Sequence, residues 1–375
     1  MKVFDLIRKL SPLAAEMLSR LAARLHTACD ANRGTVSSAK AVVFWGGGKD
    51  STLALAFTKA LAEFTGLTVR AVTMDNPGIT PGTRGNIEQI ASTLAVEHEY
   101  WHFRKPVPAL GQEIQSWQRL YRALALALGG QPRFMCVACN FSSIVTEYSA
   151  LALHQADFCV TGNPAWELAT FEKWIESLRA EYAGVIAFPD RTGKQMLDYF
   201  RFWHAIYERL LEELFSESGS ENCAADDAIA EYLYPMPESG DIVERASHLN
   251  VMGDGMIDCI AADHQELLAA LGWRLPDDMQ GGTESDCAFT ASIAYLNIER
   301  NGLNRHLEHL DEADHYFRPP VEMTARAREW AVSGKSNVEG RKLLSLLGLS
   351  ESYKPSSPTG SAIAQSLIDK LFKIR

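Results

Sequence analysis

No uninterrupted apolar run in the chain approaches the ~18–20 residues that a membrane-spanning helix needs, so no membrane association is expected. The opening segment, MKVFDLIRKL, threads charges through its apolar positions and lacks a small-residue cleavage site, which makes it a poor secretory signal. Cysteine is sparse: seven residues in 375, an odd count without a regular framework. That excludes a disulfide scaffold and favours a reducing cytoplasm as the expected compartment. A basic excess is missing too, with 36 Lys and Arg against 47 Asp and Glu and a net charge of −11. Fifteen of the acids lie between Ala205 and Glu266 beside only Arg209 and Arg245, a local balance of −13 that leaves +2 for the remainder. The body of the chain is thus nearly neutral. Its charge gives no support to tRNA or another nucleic acid as a partner, although the total by itself does not reject one. Apolar residues at 47% and charged residues at 22% exclude a disordered or collagen-like chain and leave a globular protein with room for two units.

What is present begins with helical periodicity. Val3, Leu6, Ile7, Leu10, Met17, Leu18, Leu21 and Leu25 repeat at helical spacing, and Ser11-Pro12 predicts two abutting helices. From Lys40 the pattern changes. AVVFW (41–45) reads as a short apolar strand, GGGKDST (46–52) follows at once, and LALAFTKALAEF (53–64) reads as an amphipathic helix. LTVRAVTMD (67–75) predicts a second strand, NPGITPGTRG a loop, NIEQIASTLA (86–95) a helix, and LHQADFCVTGN (153–163) a helix end, a strand and a glycine turn. Such alternation predicts an α/β fold with a doubly wound parallel sheet, which binds ligands at the carboxyl ends of its strands. Residues 216–228 read as a polar linker, 259–272 as a helix ending at Gly272, 276–286 as an acidic loop, and 320–372 as short helices. The expected organisation is a helical N-terminal cap (1–38), an α/β domain (39–215), an acidic linker or insert (216–256) and a mainly helical C-terminal region (257–375).

The sharpest chemical signal is AVVFWGGGKDST. A strand running into three glycines and then a helix sets unpaired backbone N–H groups around an anion, and glycine permits close approach of the backbone to phosphate. Lys49 adds a point charge, and Ser51 and Thr52 add hydroxyls at the helix start. Asp50 would repel phosphates unless it holds a cation, a conflict that Mg²⁺ bridging Asp50 and the phosphates would resolve. The plain alternative is a glycine turn with no ligand. The spacing is neither the Walker form nor GxGxxG.

The motif resembles the SGGxDS signature of the PP-loop ATP pyrophosphatase superfamily, with Gly46 in the place of the usual serine, and most of all its GGGKDS version. The likeness covers about residues 40–165. It implies an adenine nucleotide alpha hydrolase-like fold of the HUP type. It also implies an enzyme that binds ATP, cleaves it between the α- and β-phosphates, and adenylates a carbonyl or carboxyl oxygen. By position, Gly46, Gly47, Gly48, Lys49, Asp50, Ser51 and Thr52 would hold the pyrophosphate moiety, with Lys49, Asp50 and Ser51 catalytic. Asp75 would line the nucleoside pocket, and Thr161, Gly162 and Asn163 would form the later glycine turn facing ATP.

Cys136-Val-Ala-Cys139 is a CxxC, readable as metal ligands, cluster ligands, sulfur-relaying thiols, or simply two core cysteines. Sulfur-inserting members of the superfamily carry a CxxC at this place, some with a third cysteine. Here the candidate is Cys287, in a stretch that, with LGWRLPDD (271–278), resembles the tail of sugar amidotransferase-like and phosphoadenosine-phosphosulfate-reductase-like members. Cys136, Cys139 and Cys287 make three ligands at most, suited to a 4Fe-4S cluster with an open site or to Zn²⁺ with a fourth ligand. An N-terminal CxxC typical of sugar amidotransferases is missing. Of Cys29, Cys159, Cys223 and Cys259, most read as small buried hydrophobes, with Cys223 in the polar linker; His204, His264, His306 and His309 read as solvated, and the aromatics of RFWHAIYERL (201–210) as core.

The leading expectation is ATP-dependent adenylation followed by sulfur transfer. Amide formation on a sugar or other small-molecule acceptor is the alternative, and a nucleotide-binding subunit without turnover is a third reading. A sulfur donor or a glutaminase would be the partner protein, and a homodimer is compatible with the same reading.

Overall fold

The computed structural model describes residues 2–10, 12–31, 35–75, 79–101, 137–162, 190–217, 233–251 and 261–276. Val3–Leu10 (α1) and Pro12–Ala31 (α2) lead through a short 3₁₀ turn to Lys40–Phe44 (β1). Then follow Lys49–Thr65 (α3), Thr68–Met74 (β2), Pro81–Leu94 (α4) and Glu97–Trp101 (β3). Val137–His154 (α5), Phe158–Thr161 (β4), Asp190–Thr192 (β5), Lys194–Glu217 (α6), Ile242–Arg245 (α7), Ser247–Asn250 (β6) and Ala261–Ala270 (α8) complete the described elements. No helix among the described residues is long and apolar enough to cross a membrane.

The six strands form one sheet in the order β3-β2-β1-β4-β6-β5, parallel throughout except for β5, which runs antiparallel to β6 at the edge. Val43 pairs with Ala71 on one side and Val160 on the other, so β1 is a central strand, as its uninterrupted apolar run predicts. Ala41, Val43, Trp45, Ala71, Phe158 and Val160 point to one face, where they share a single core with α1, α2, α3, α4 and α8. Val42, Val72 and Cys159 alternate to the other face, packed against by α5 and α6. The chain is therefore an α/β protein with helices on both faces of a predominantly parallel sheet. Strand order reverses between β1 and β4, the place where such sheets open a crevice at their carboxyl ends.

The structure departs from the sequence reading in five places. Helix α3 is buried on every side from Thr52 to Thr58, so it is a core helix and not an amphipathic one. Helix α4 starts at Pro81, not at 86, and takes in the PGTRG that reads as loop. Thr80 caps it by accepting from the Thr83 N–H at 3.0 Å, and Pro81 occupies the first turn. Strand β3, EHEYW, carries too much charge to announce itself. Strand β6, SHLN, is fully buried between β4 and β5, inside the 216–256 stretch expected as acidic linker. Its four residues offer only one aliphatic side chain, so periodicity had nothing to register. His204 is buried at 6% exposure against the Tyr234 ring, and not solvated. Desolvation pushes its pKa down to about 4. The neighbouring Phe200, Phe202, Trp203 and Tyr207 do pack as core, and Cys29 and Cys159 are buried free thiols.

Candidate functional site

Beyond Phe44 the chain leaves the sheet through Trp45, which is fixed at three points. Its N–H donates to the Val72 carbonyl at 2.9 Å, its carbonyl accepts from Thr73 Oγ1 at 2.6 Å, and its indole N–H donates to Thr52 Oγ1 at 2.9 Å. The Thr73 hydroxyl has one proton and gives it to that carbonyl, so His98 Nε2, 2.8 Å away, must be the donor to Thr73. This sets the His98 tautomer. Burial lowers the His98 pKa against the opposing pull of Glu99, and the ring is neutral. A buried polar relay thus clamps the start of the glycine loop to β2 and to the first turn of α3.

Gly47 has φ +82°, and a Cβ there would sit 2.7 Å from Ile87 Cγ1 and 3.0 Å from Thr83 Cγ2. Both the left-handed backbone and the press of α4 require glycine. Gly48 is extended and caps α3; its carbonyl accepts from the Thr52 N–H at 3.0 Å and from Ser51 Oγ at 3.3 Å. Among the described residues no acceptor meets the N–H of Gly46, Gly47 or Gly48. With the first-turn N–H groups of a 17-residue helix behind them, these amides form an electropositive donor set at the carboxyl edge of the sheet. Lys49 Nζ lies 3.1 Å from Asp50 Oδ2, both side chains partly exposed, which leaves the second Asp50 oxygen untouched by the lysine. One carboxylate beside phosphate oxygens is the kind of hard oxygen set Mg²⁺ takes, so the residues fit that ion.

From the other side of the strand-order reversal comes Gly162, directly after β4. A Cβ there would fall 2.9 Å from Ala54 Cβ and 3.0 Å from the Asp50 carbonyl oxygen, so only glycine lets this turn abut the first turn of α3. The expected residues Gly46 to Thr52 and Gly162 are therefore brought together. Thr161 is adjacent, but its hydroxyl is 2.9 Å from His248 Nε2, turned into the sheet face beneath α5 and α6. Asp75 lies at the expected edge, its N–H donating to the Trp101 carbonyl at 2.7 Å, and its carboxylate pairs with Arg84 of α4. The Arg84 guanidinium in turn sits 4.9 Å over the Tyr100 ring.

The cysteine set is placed only in part. Ser143 Oγ donates to Met74 Sδ at 3.8 Å, at the end of β2, whereas His154 lies 3.4 Å from Glu99, nearer the amino edge. Helix α5 thus runs antiparallel to the strands, and the Cys139 backbone, one turn before Ser143, falls at the carboxyl edge. The Cys139 side chain, Cys136, Asn163 and Cys287 lie outside the described residues. No group of three His, Cys, Asp or Glu suited to a metal occurs among the described residues. The sequence reading missed Thr73, His98, Thr83, Ile87, Asn86 and Trp273. Of these only Trp273 left a signal, a tryptophan directly after the glycine that ends a helix.

No protein-family model matches the chain, and no curated protein matches it in sequence. Among solved structures it is similar to the U34-tRNA thiolase NcsA from Methanococcus maripaludis with its 4Fe-4S cluster. The identity is 9% and the TM-score 0.36, over 94% of this chain and 88% of that one. A likeness that weak carries no weight for fold or chemistry.

Proposed function

We propose that the protein is an ATP pyrophosphatase of the adenylating kind. The observation that carries the reading is the convergence of Gly46–Gly48, the N-terminus of α3 and Gly162 at the strand-order reversal, with Lys49 and Asp50 on the same turn. In this reading the loop amides and Lys49 hold the β- and γ-phosphates of ATP. Mg²⁺ at Asp50 would screen the charge between carboxylate and phosphates. An acceptor oxygen attacks the α-phosphorus, the bond from that phosphorus to the bridging oxygen breaks, and pyrophosphate leaves with the electron pair. The backbone donors aim at the leaving group, where negative charge grows in the transition state. A sulfur or nitrogen nucleophile then attacks the activated carbon, the carbon–oxygen bond breaks and AMP departs, with no net oxidation.

Sulfur transfer is the preferred second step, because the Cys139 backbone lies on the same edge of the sheet as the glycine loop. Amide formation on a small or sugar-like acceptor is the alternative that shares the first step. A CxxC with Cys287 would supply a sulfur relay, or ligands for a 4Fe-4S cluster or Zn²⁺. The first step is tested by incubating the protein with ATP, Mg²⁺ and a panel of carbonyl and carboxyl acceptors and measuring AMP and pyrophosphate. Stoichiometric AMP and pyrophosphate are expected, and Asp50→Asn should reduce their release at least ~100-fold while leaving the circular dichroism spectrum unchanged. Release of ADP and phosphate instead, or equal rates in the variant, would remove the proposal.

A further inference from the structure

Helix α8 ends in a compact cap that places one side chain with unusual definition. Gly272 is left-handed at φ +89°, its N–H donates to the Ala269 carbonyl at 3.0 Å, and the Trp273 N–H donates to the Leu268 carbonyl at 2.9 Å. These are the two crossed bonds of a Schellman motif, and they fix Trp273 as the residue that leaves the helix. The next residue is clasped by α4: Asn86 Nδ2 donates to the Arg274 carbonyl at 2.5 Å, and the Arg274 N–H donates to Asn86 Oδ1 at 3.2 Å. Between these two anchors the indole of Trp273 lies half-buried against the core, and its Nε1–H donates to the Gly47 carbonyl at 3.0 Å.

That bond has a stereochemical consequence. A peptide unit is planar and trans, so its N–H points opposite to its C=O. Holding the Gly47 carbonyl toward the indole turns the Gly48 N–H away from it, and no described residue accepts from that N–H. Glycine at both positions leaves this peptide free to flip unless something outside the loop holds it. We infer that Trp273 is a positioning residue: it locks the Gly47–Gly48 peptide so that the Gly48 amide serves as a phosphate donor. It thereby ties nucleotide binding to the segment leading into the C-terminal region. The inference rests on the proposed ATP site and names a residue 226 positions downstream of the loop as part of its working order.

The test is calorimetric titration of the full chain with MgATP and, separately, with inorganic pyrophosphate. Trp273→Phe keeps most of the ring and removes the donor. Replacing the indole by benzothiophene through unnatural amino-acid incorporation keeps its shape and removes only the N–H. Val96→Ala trims the core at the opposite edge of the sheet and serves as a stability control. Both Trp273 replacements should raise the dissociation constants for ATP and pyrophosphate by the same factor, about tenfold, with Val96→Ala within about twofold of wild type. Wild-type affinity in the benzothiophene variant overturns the inference and leaves the ATP site standing. Equal weakening by Val96→Ala also overturns it, because the effect would then be one of general stability. A wild-type chain that binds neither probe overturns both readings.

Discussion

Alanine at position 47 would meet two obstacles at once, a left-handed backbone and the Ile87 side chain 2.7 Å from the new Cβ. Gly47→Ala should therefore cost about 1–3 kcal/mol in denaturant unfolding. Gly85 is the internal control: it lies on the exposed face of α4 with nothing within 4 Å of a built Cβ. Gly85→Ala should stabilise by about 0.5–1 kcal/mol, since alanine loses less backbone entropy in a helix. If both variants moved in the same direction, the account of the loop would fail. A second residue-scale expectation concerns Glu147 of α5. Burial pushes its carboxyl up to about 7, partly opposed by Arg191, with Cys159, Tyr199, Tyr207 and Tyr234 also around it. Below the ordinary carboxylate range both folded and unfolded states are protonated there and no penalty arises. As pH rises from about 4.5 to 7 the unfolded chain ionises first, so the folded state loses stability across that window and stays penalised above it. Glu147→Gln lacks the proton, and its melting temperature relative to wild type should climb between pH 5 and pH 8 and then level off. A pH-independent difference would mean that the group ionises normally.

At the scale of elements, the contrast between α3 and α4 shows what a sequence can reveal. The α3 unit was legible because strand, glycine loop and helix follow without a break, each residue obeying a local rule: apolar run, Gly-Gly-Gly, then an unbroken run of helix formers. The front of α4 was hidden because Pro, Gly and Gly in PGTRG each vote for a turn. What decides the matter is Thr80, whose side chain supplies the cap, and the packing of Thr83 and Ile87 on Gly47, a tertiary contact no local pattern encodes. The same holds for the candidate site. Its donors were readable from the motif, but the relay of Trp45, Thr73 and His98 and the strap from α8 depend on which strands become neighbours. One consequence is measurable. Asn86→Ala removes both bonds to Arg274, which should cost about 1–2 kcal/mol and speed hydrogen exchange over 271–275, with the amides of α3 unchanged. Uniform acceleration through α3 would mean that the clasp is not local.

For the molecule as a whole, the question is whether the N-terminal helices are an ornament on the α/β sheet or part of it. The first turn of α1 is capped by α3: the N–H groups of Val3 and Phe4 donate to Glu63 Oε1 and Oε2 at 3.0 and 3.2 Å. Arg24 of α2 reaches the Asn250 carbonyl of β6 at 2.8 Å, so α2 is bonded to a strand more than two hundred residues away. Ile7, Leu18, Leu21 and Leu25 are almost fully buried in the same core as Ala54, Phe57 and Val43. Buried aliphatic side chains of this size contribute about 1.5–3 kcal/mol each, so the four together are comparable to the roughly 5–15 kcal/mol by which a domain is stable. Removing residues 1–35 would not trim an appendage. It would leave α3 with an apolar face open to water at the back of the glycine loop. The truncated chain should lose its cooperative melting transition and its near-ultraviolet dichroism. A milder cut, Glu63→Ala, should cost about 1 kcal/mol by leaving two N–H groups without their carboxylate, and should expose α1 to proteolysis before the rest. A truncated chain that melts cooperatively near the wild-type temperature would show instead that the sheet and its glycine loop stand without α1 and α2, and that the core ends at α3.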